Sequence, residues 1–457
     1  MHTIAIIGGG FSGTSLATRL LQGPPARPTR ILLIERRAQV GRGVAYSTRA
    51  YPYVLNAPAS GMSADPAQPD DFLRYARTRD AGAQAGDFLP RGLYGDYLIA
   101  RLEAAVRAAP AHVVLETVHA EVTAVRRADG GGWRIEMAPA RSVAANEVVL
   151  ATGNPRPASL AIGRGLDRIN DLWDEAGVVP GEHPVLIIGT ALTMADMVTR
   201  LAAHSTRAAP IIAVSRHGLL PQPHDTAHGT PYAGDVAALQ RAAGTSMRTL
   251  LRAVRAMAKD AAAHGSDWRA VITFIRPHAP ALWAALAGAE RARFLRHVRV
   301  YWDLHRHRVA PAMAQRMAAL RAAGLLEICA ARIVALESWG DRIRATLLPR
   351  GGGEARALVV DYVINCTGPD YRIATSRDPL LRQLLGERLI APDTLGLGLR
   401  TGPAGEALDP AGAPVPGLSY VGPLLRASWW EATAVPELRE HVEHLAGALR
   451  GRVSEAP

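Results

Sequence analysis

Three glycines and one carboxylate open the chain with a spacing that suits phosphate chemistry. Gly8, Gly10 and Gly13 fall as Gly-x-Gly-x-x-Gly, with Phe11 and Ser12 between the last two. In such a turn the first glycine lets the chain leave a strand sharply, the second lets backbone N–H groups approach a pyrophosphate, and the third lets the following helix pack closely. The phosphate then faces the positive end of that helix. Glu35, with Arg36 beside it, lies about 20 residues further on, where a carboxylate accepts hydrogen bonds from an adenosine ribose. A weaker copy of the arrangement appears at Gly189, Thr190 and Ala191, and here Arg216 takes the place of the acid. An arginine at that point suits a 2′-phosphate, which favours NADP over NAD.

The elements that must position these residues are legible from periodicity. Apolar runs of strand length at 3–7, 31–34, 185–188 and 211–214 each end at a motif residue, and helical spacing follows each glycine turn. Two further strands end in small residues, at Thr152-Gly153 and at Thr367-Gly368, and such ends permit close approach by a cofactor or a crossing chain. Residues 41–48 and 53–64 read as a long ordered loop, of a kind that is often functional; it carries Arg42, Gly43 and Asn56. Helical stripes fill the stretch up to about residue 324, an insertion able to cap a cofactor and build a substrate pocket. A last strand ends at Gly422, and Pro436 belongs in the first turn of the final helix, whose free N–H groups would stabilise the pyrimidine edge of a flavin.

Composition excludes several classes. The net charge of +11 comes almost wholly from arginine, with Lys259 the single lysine; there is no concentrated basic run, zinc-ligand spacing or helix-turn-helix signal, so no nucleic-acid partner is expected. Binding anionic nucleotides accounts for part of the charge. Cys329 and Cys366 stand far apart without a C-x-x-C, which points to a reducing compartment and removes the redox-active pair of a flavin disulfide reductase. No uncharged apolar run reaches membrane-spanning length, so a cytoplasmic protein without a membrane partner is expected. His297 and His305 are two turns apart, His305 and His307 point to different faces, and no carboxylate completes a triad, so no metal is expected.

Taken together, residues 8–13, 41–48, 55–64, 189–196, 215–221, 301–308, 365–369 and 430–439 resemble the bacterial FAD/NAD(P)-binding proteins of the YdhS type. These are relatives of the two-dinucleotide-binding flavoproteins, among them class B flavin monooxygenases and amine N-hydroxylases. The resemblance implies an α/β fold of two Rossmann-like domains with a helical insertion, the FAD domain being discontinuous and glutathione-reductase-like. The expected division is 1–180 for the first part of the FAD domain, 181–324 for the NAD(P)-binding-like domain with its insert, and 325–457 for the second part of the FAD domain. It implies FAD on Gly8, Gly10, Phe11, Ser12, Gly13, Glu35 and Arg36, with Arg42, Gly43, Thr152, Gly153, Thr367, Gly368, Gly422, Trp430 and Pro436 also along the cofactors. Asn56 would sit near the isoalloxazine or the substrate, and Gly189, Thr190 and Arg216 would contact NADPH. Two departures stand out: Gly422-Pro423 replaces the usual Gly-Asp, and Ala191 replaces a glycine. The implied activity is an FAD-dependent, NADPH-using monooxygenation of a nucleophilic nitrogen or sulfur in a small molecule. The alternatives are NAD(P)H-flavin electron transfer to a partner protein and a non-catalytic FAD/NAD(P)-binding sensor.

Overall fold

The computed structural model describes residues 1–47, 51–163, 165–166, 168–171, 183–203, 209–225 and 230–455. Thr48 and the expected boundary at 180/181 lie outside the described residues. The strands are β1 (His2–Ile7), β2 (Thr29–Glu35), β3 (Val113–His119), β4 (Glu121–Arg127), β5 (Trp133–Ala138), β6 (Arg141–Ala145), β7 (Glu147–Leu150), β8 (Ile169–Asp171), β9 (Val185–Ile188), β10 (Ile211–Ser215), β11 (Leu326–Trp339), β12 (Arg342–Pro349), β13 (Arg356–Val360), β14 (Tyr362–Asn365), β15 (Glu406–Leu408) and β16 (Pro414–Tyr420). The helices are α1 (Phe11–Gln22), α2 (Asp71–Arg77), α3 (Arg91–Ala108), α4 (Leu192–Ala202), α5 (Val236–Thr245), α6 (Met247–Ala263), α7 (Trp268–Ile275), α8 (Ala279–Ala285), α9 (Gly288–His297), α10 (Arg299–Arg306), α11 (Pro311–Ala322), α12 (Pro379–Gly386) and α13 (Val435–Glu455).

Two sheets carry the glycine turns. The first has the order β15-β16-β7-β1-β2-β3, parallel except for its edge strand β15. Its strands are near-continuous apolar runs because both faces are covered. On one side Leu16 and Leu20 of α1, Leu102 of α3 and Leu445 and Leu449 of α13 close over Ile4, Ile6, Ile31 and Leu33. On the other, the antiparallel β4-β5-β6 meander supplies Val125, Trp133 and Ile135 against Ala5, Leu32 and Leu150.

The second sheet has the order β13-β12-β11-β10-β9-β14-β8. Met194, Met197 and Leu201 of α4 and Met313 and Met317 of α11 cover one face. The long antiparallel strands β11, β12 and β13 fold over the other through Leu336, Ile343 and Leu347. Past the expected division at 325, β11 continues the second sheet in parallel with β10, and β14 pairs in parallel with β9, so the strands of 326–365 lie in the second sheet. The return to the first unit comes after β14. Inserted between β10 and β11, α5 to α9 build a separate core around Leu239, Leu250, Trp283 and Phe294, which also takes in Ala427 and Trp430 from the approach to α13. Among the described residues, no helix is long and apolar enough to cross a membrane.

Candidate cofactor and substrate site

The two glycine turns are built on one plan. A Cβ on Gly8, whose φ is +110°, would stand 2.3 Å from the Ala151 carbonyl oxygen; a Cβ on Gly189, φ +107°, would stand 2.3 Å from that of Cys366. The end of β7 therefore closes on the first turn and the end of β14 on the second. This explains the repeated Thr-Gly: Thr152-Gly153 and Thr367-Gly368 are the corresponding strand ends of two units, and a Cβ on either glycine would meet nothing within 4 Å. At Gly13 a Cβ would lie 1.9 Å from the Gly8 oxygen, so only glycine lets α1 approach its own turn. Gly10 and Gly43 face each other closely, a Cβ on Gly43 falling 3.0 Å from the Gly10 Cα. Neither α1 nor α4 has a side-chain cap, which leaves helix-start N–H groups for an anion.

Glu35 is buried, and its Oε2 accepts from Gly9 N at 2.6 Å while Oε1 accepts from Arg37 N at 2.9 Å. These bonds fix the carboxylate beside the first turn and leave lone pairs for a ribose. Phe11 and Ser12 are buried at the start of α1, Phe11 stacking on Tyr94 with ring centres 6.4 Å apart. The Arg36 side chain points out to Glu121, 3.5 Å away.

In the second unit, Ala191 takes φ −92° and ψ −162°, close to the −77° and −159° of Gly10. The backbone thus tolerates the alanine, whose methyl is exposed. Met194, at the place of the third glycine, is fully buried in the helix-facing core. Arg216 is exposed and joins Arg350 around His217, whose pKa is lowered by burial and by both guanidiniums. Arg216 follows β10 and Arg350 follows β12, so the second arginine carries no local signal that would link it to the first.

Several expected cofactor residues have their side chains engaged by protein. Arg42 is buried and pairs with Asp96, while Nε donates to Gln39 Oε1 at 3.0 Å and Nη1 to the Gly92 carbonyl at 3.3 Å; it fastens the loop to α3. Thr190 donates to the Leu219 carbonyl at 2.6 Å. Trp430 stacks on Trp283 with centres 4.8 Å apart and carries the Arg426 guanidinium 4.0 Å above its ring. Gly422 has φ +140° and leads into a short 3₁₀ turn, where Leu424 N donates to the Tyr420 hydroxyl at 3.0 Å. Pro436 is the second residue of α13, and Glu437 in the same turn is paired with Arg276 and Arg306.

Asn56 lies against the segment that follows β10. Its carbonyl accepts from His224 Nε2 at 2.9 Å, and its Oδ1 is buried without a partner. Burial, followed by the charge of Arg308, pushes the His224 pKa down to about 4, so the ring is neutral near pH 7 with its proton on Nε2. A buried ion pair also crosses between units: Arg91 of α3 meets Asp196 of α4 at 2.9 Å and donates through Nε to the Val54 carbonyl at 3.0 Å. Neither His224 nor this pair carried a local sequence signal.

A family model described as FAD-NAD(P)-binding matches residues 5–155. The chain is similar to an ornithine N-hydroxylase from Kutzneria sp. 744, with 18% identity, 99% of each chain covered and a TM-score of 0.65. It is also similar to an ornithine hydroxylase from Pseudomonas aeruginosa, with 16% identity, 99% of this chain and 100% of that one covered, and a TM-score of 0.67. The fold is that of the two-dinucleotide-binding flavoproteins. A cadaverine monooxygenase from Erwinia amylovora, bound to FAD, shares it at 13% identity and a TM-score of 0.63, over 99% of this chain and 95% of that one. No curated protein matches the chain.

Proposed function

We propose that this chain is an FAD-dependent, NADPH-using monooxygenase that oxygenates a nucleophilic nitrogen or sulfur of a small molecule. The observation that carries the reading is the pair of glycine turns on one plan, each closed by a Thr-Gly strand end, with a helical insert following the second. The likeness to amine hydroxylases extends over 99% of the chain. In this reading the turn at Gly8, Gly10 and Gly13, together with Glu35, Gly43 and the uncapped start of α1, holds the ADP part of FAD. Thr152, Gly153 and the start of α13 at Pro436 face the flavin, with Asn56 beside it. Gly189 and the start of α4 receive the pyrophosphate of NADPH, and Arg216 and Arg350 its 2′-phosphate. When bound, FAD supplies electron transfer from NADPH to dioxygen. The chain supplies orientation and a water-poor pocket. A cytoplasmic location belongs to the same reading.

Purification and anaerobic reduction test it. The protein should carry or take up FAD and be reduced faster by NADPH than by NADH; in air, added amine should raise NADPH consumption without a matching rise in peroxide. A protein that takes up no flavin refutes the proposal. Reduction with full peroxide yield whatever amine is added favours electron transfer to a partner, and bound FAD that NADPH fails to reduce favours a sensor, for which the methyl of Ala191 is the supporting feature.

A further inference from the structure

The segment after β10 runs alongside the chain that leaves α10. Gln222 N donates to the Leu304 carbonyl at 3.0 Å, Val309 N to that of Gln222 at 3.0 Å, and His224 N to that of Val309 at 2.9 Å. This ladder brings Arg308 beside His224, whose ring reaches Asn56. Four guanidiniums gather here, from Arg269, Arg276, Arg306 and Arg308.

Three of them have carboxylates. Arg276 grips Glu437, with Nη2 to Oε2 at 2.8 Å. Arg306 meets Glu431 at 2.8 Å and Glu437 at 3.4 Å. Arg269 holds Asp267 at 2.5 Å and donates to the Pro223 carbonyl at 3.3 Å. Arg308 alone among the four makes no hydrogen bond or ion pair with the described residues, and its Nε is buried. Four cations thus stand against Asp267, Glu431 and Glu437, one positive charge in excess. Burial and the neighbouring Arg306 and Arg269 push the pKa of Arg308 down, so the guanidinium is held where an uncompensated charge is costly. A half-buried guanidinium next to other cations recognises a planar anion in a bidentate fork.

We propose that Arg308 is the specificity-determining residue of this site, anchoring a carboxylate of the substrate, and that the pocket takes an anionic amine and rejects a cationic one such as cadaverine. The inference rests on the flavin monooxygenase reading. It deepens that reading by opposing the pocket's charge to that of diamine substrates. Asn56, whose carbonyl holds His224 Nε2, keeps a buried Oδ1 without a partner, an acceptor for an N–H of the same molecule.

The test is calorimetric titration of the purified, FAD-supplemented protein with L-aspartate, L-glutamate, succinate and cadaverine, and separately with NADPH. At least one carboxylate should bind and cadaverine should not. Loss of one partner of a buried charge pair costs at least about 2 kcal/mol, so Arg308→Gln should weaken carboxylate binding by roughly 30-fold or more, with NADPH affinity unchanged. Arg308→Lys, which keeps the charge but not the fork, should bind more weakly than the parent and more tightly than Arg308→Gln. If Arg308→Gln does not fold, Arg308→Lys against the parent decides. Cadaverine binding as tightly as the carboxylates, no binding of any carboxylate, unchanged affinity in the variants, or an equal loss of NADPH affinity would each overturn the inference. The last outcome would assign the anion to the dinucleotide. Carboxylate binding through Arg308 in a protein that takes up no FAD would leave the anion site standing and remove the monooxygenase reading.

Discussion

Removing Arg91 should loosen the junction between the two dinucleotide units, by an amount that depends on pH. Arg91 and Asp196 are both nearly buried, with side-chain exposures of 11% and 3%, and they meet at 2.9 Å. Breaking such a pair from one side leaves an uncompensated charge and costs about 3–5 kcal/mol. With an unfolding entropy of about 2.1 cal/mol/K per residue, 457 residues give roughly 1 kcal/mol/K, so Arg91→Met should lower Tm by about 3–5 °C if the chain melts as one unit. The pH dependence follows from Asp196. Burial raises its pKa and Arg91 opposes that rise. For an acid whose folded pKa lies above its unfolded one, the folded state binds more protons between the two values, so stability falls as pH rises through that window. Without Arg91 the folded value climbs further and the window widens upward, so the deficit of Arg91→Met should be smaller at pH 5 than at pH 7. Asp196→Asn strands the Arg91 guanidinium instead, but Arg91 is the more exposed partner and keeps the Val54 carbonyl as an acceptor, so this variant should cost less than Arg91→Met at pH 7, and Arg91→Met with Asp196→Leu should recover much of the loss. Scanning fluorimetry of the four proteins at both pH values is the assay. An Arg91→Met protein that melts with the parent at pH 7, or shows the same deficit at pH 5, would refute the reasoning.

Other outcomes follow from single contacts. Gly13→Ala forces a Cβ to 1.9 Å from the Gly8 oxygen, so the turn must open and FAD uptake, measured as flavin per protein after reconstitution, should fall at least about tenfold. Ala191→Gly removes an exposed methyl from an unstrained backbone; NADPH affinity should rise a few-fold, while Tm falls slightly from the added chain entropy, roughly 0.5–1 kcal/mol. Arg216→Ser should reduce the preference for NADPH over NADH in anaerobic reduction by about tenfold or more, since a 2′-phosphate loses a charge-assisted partner worth roughly 1.5–3 kcal/mol; NADH reduction should be unchanged.

Local spacing was enough to locate both glycine turns, Glu35, Arg216 and the start of α13, because a phosphate-binding turn is made by residues adjacent in the chain. A strand, a tight bend and a helix start leave their mark within about fifteen residues whatever surrounds them. The same holds for the insert, whose apolar stripes at 250–257 and 268–275 became the core around Trp283 and Phe294. What depended on distant neighbours was not legible. The sheet that β11 and β14 join is chosen by pairing with β10 and β9, more than a hundred residues earlier, so no local pattern links 326–365 to the second sheet. Arg42, Thr190 and Trp430 sit in motifs, yet their side chains were captured by Asp96, the Leu219 carbonyl and Trp283, partners that only the packed structure supplies. Arg308 is the converse case. In the run Arg306-His307-Arg308 two arginines are indistinguishable, and long-range packing decides that Arg306 finds Glu431 while Arg308 is left without an acid.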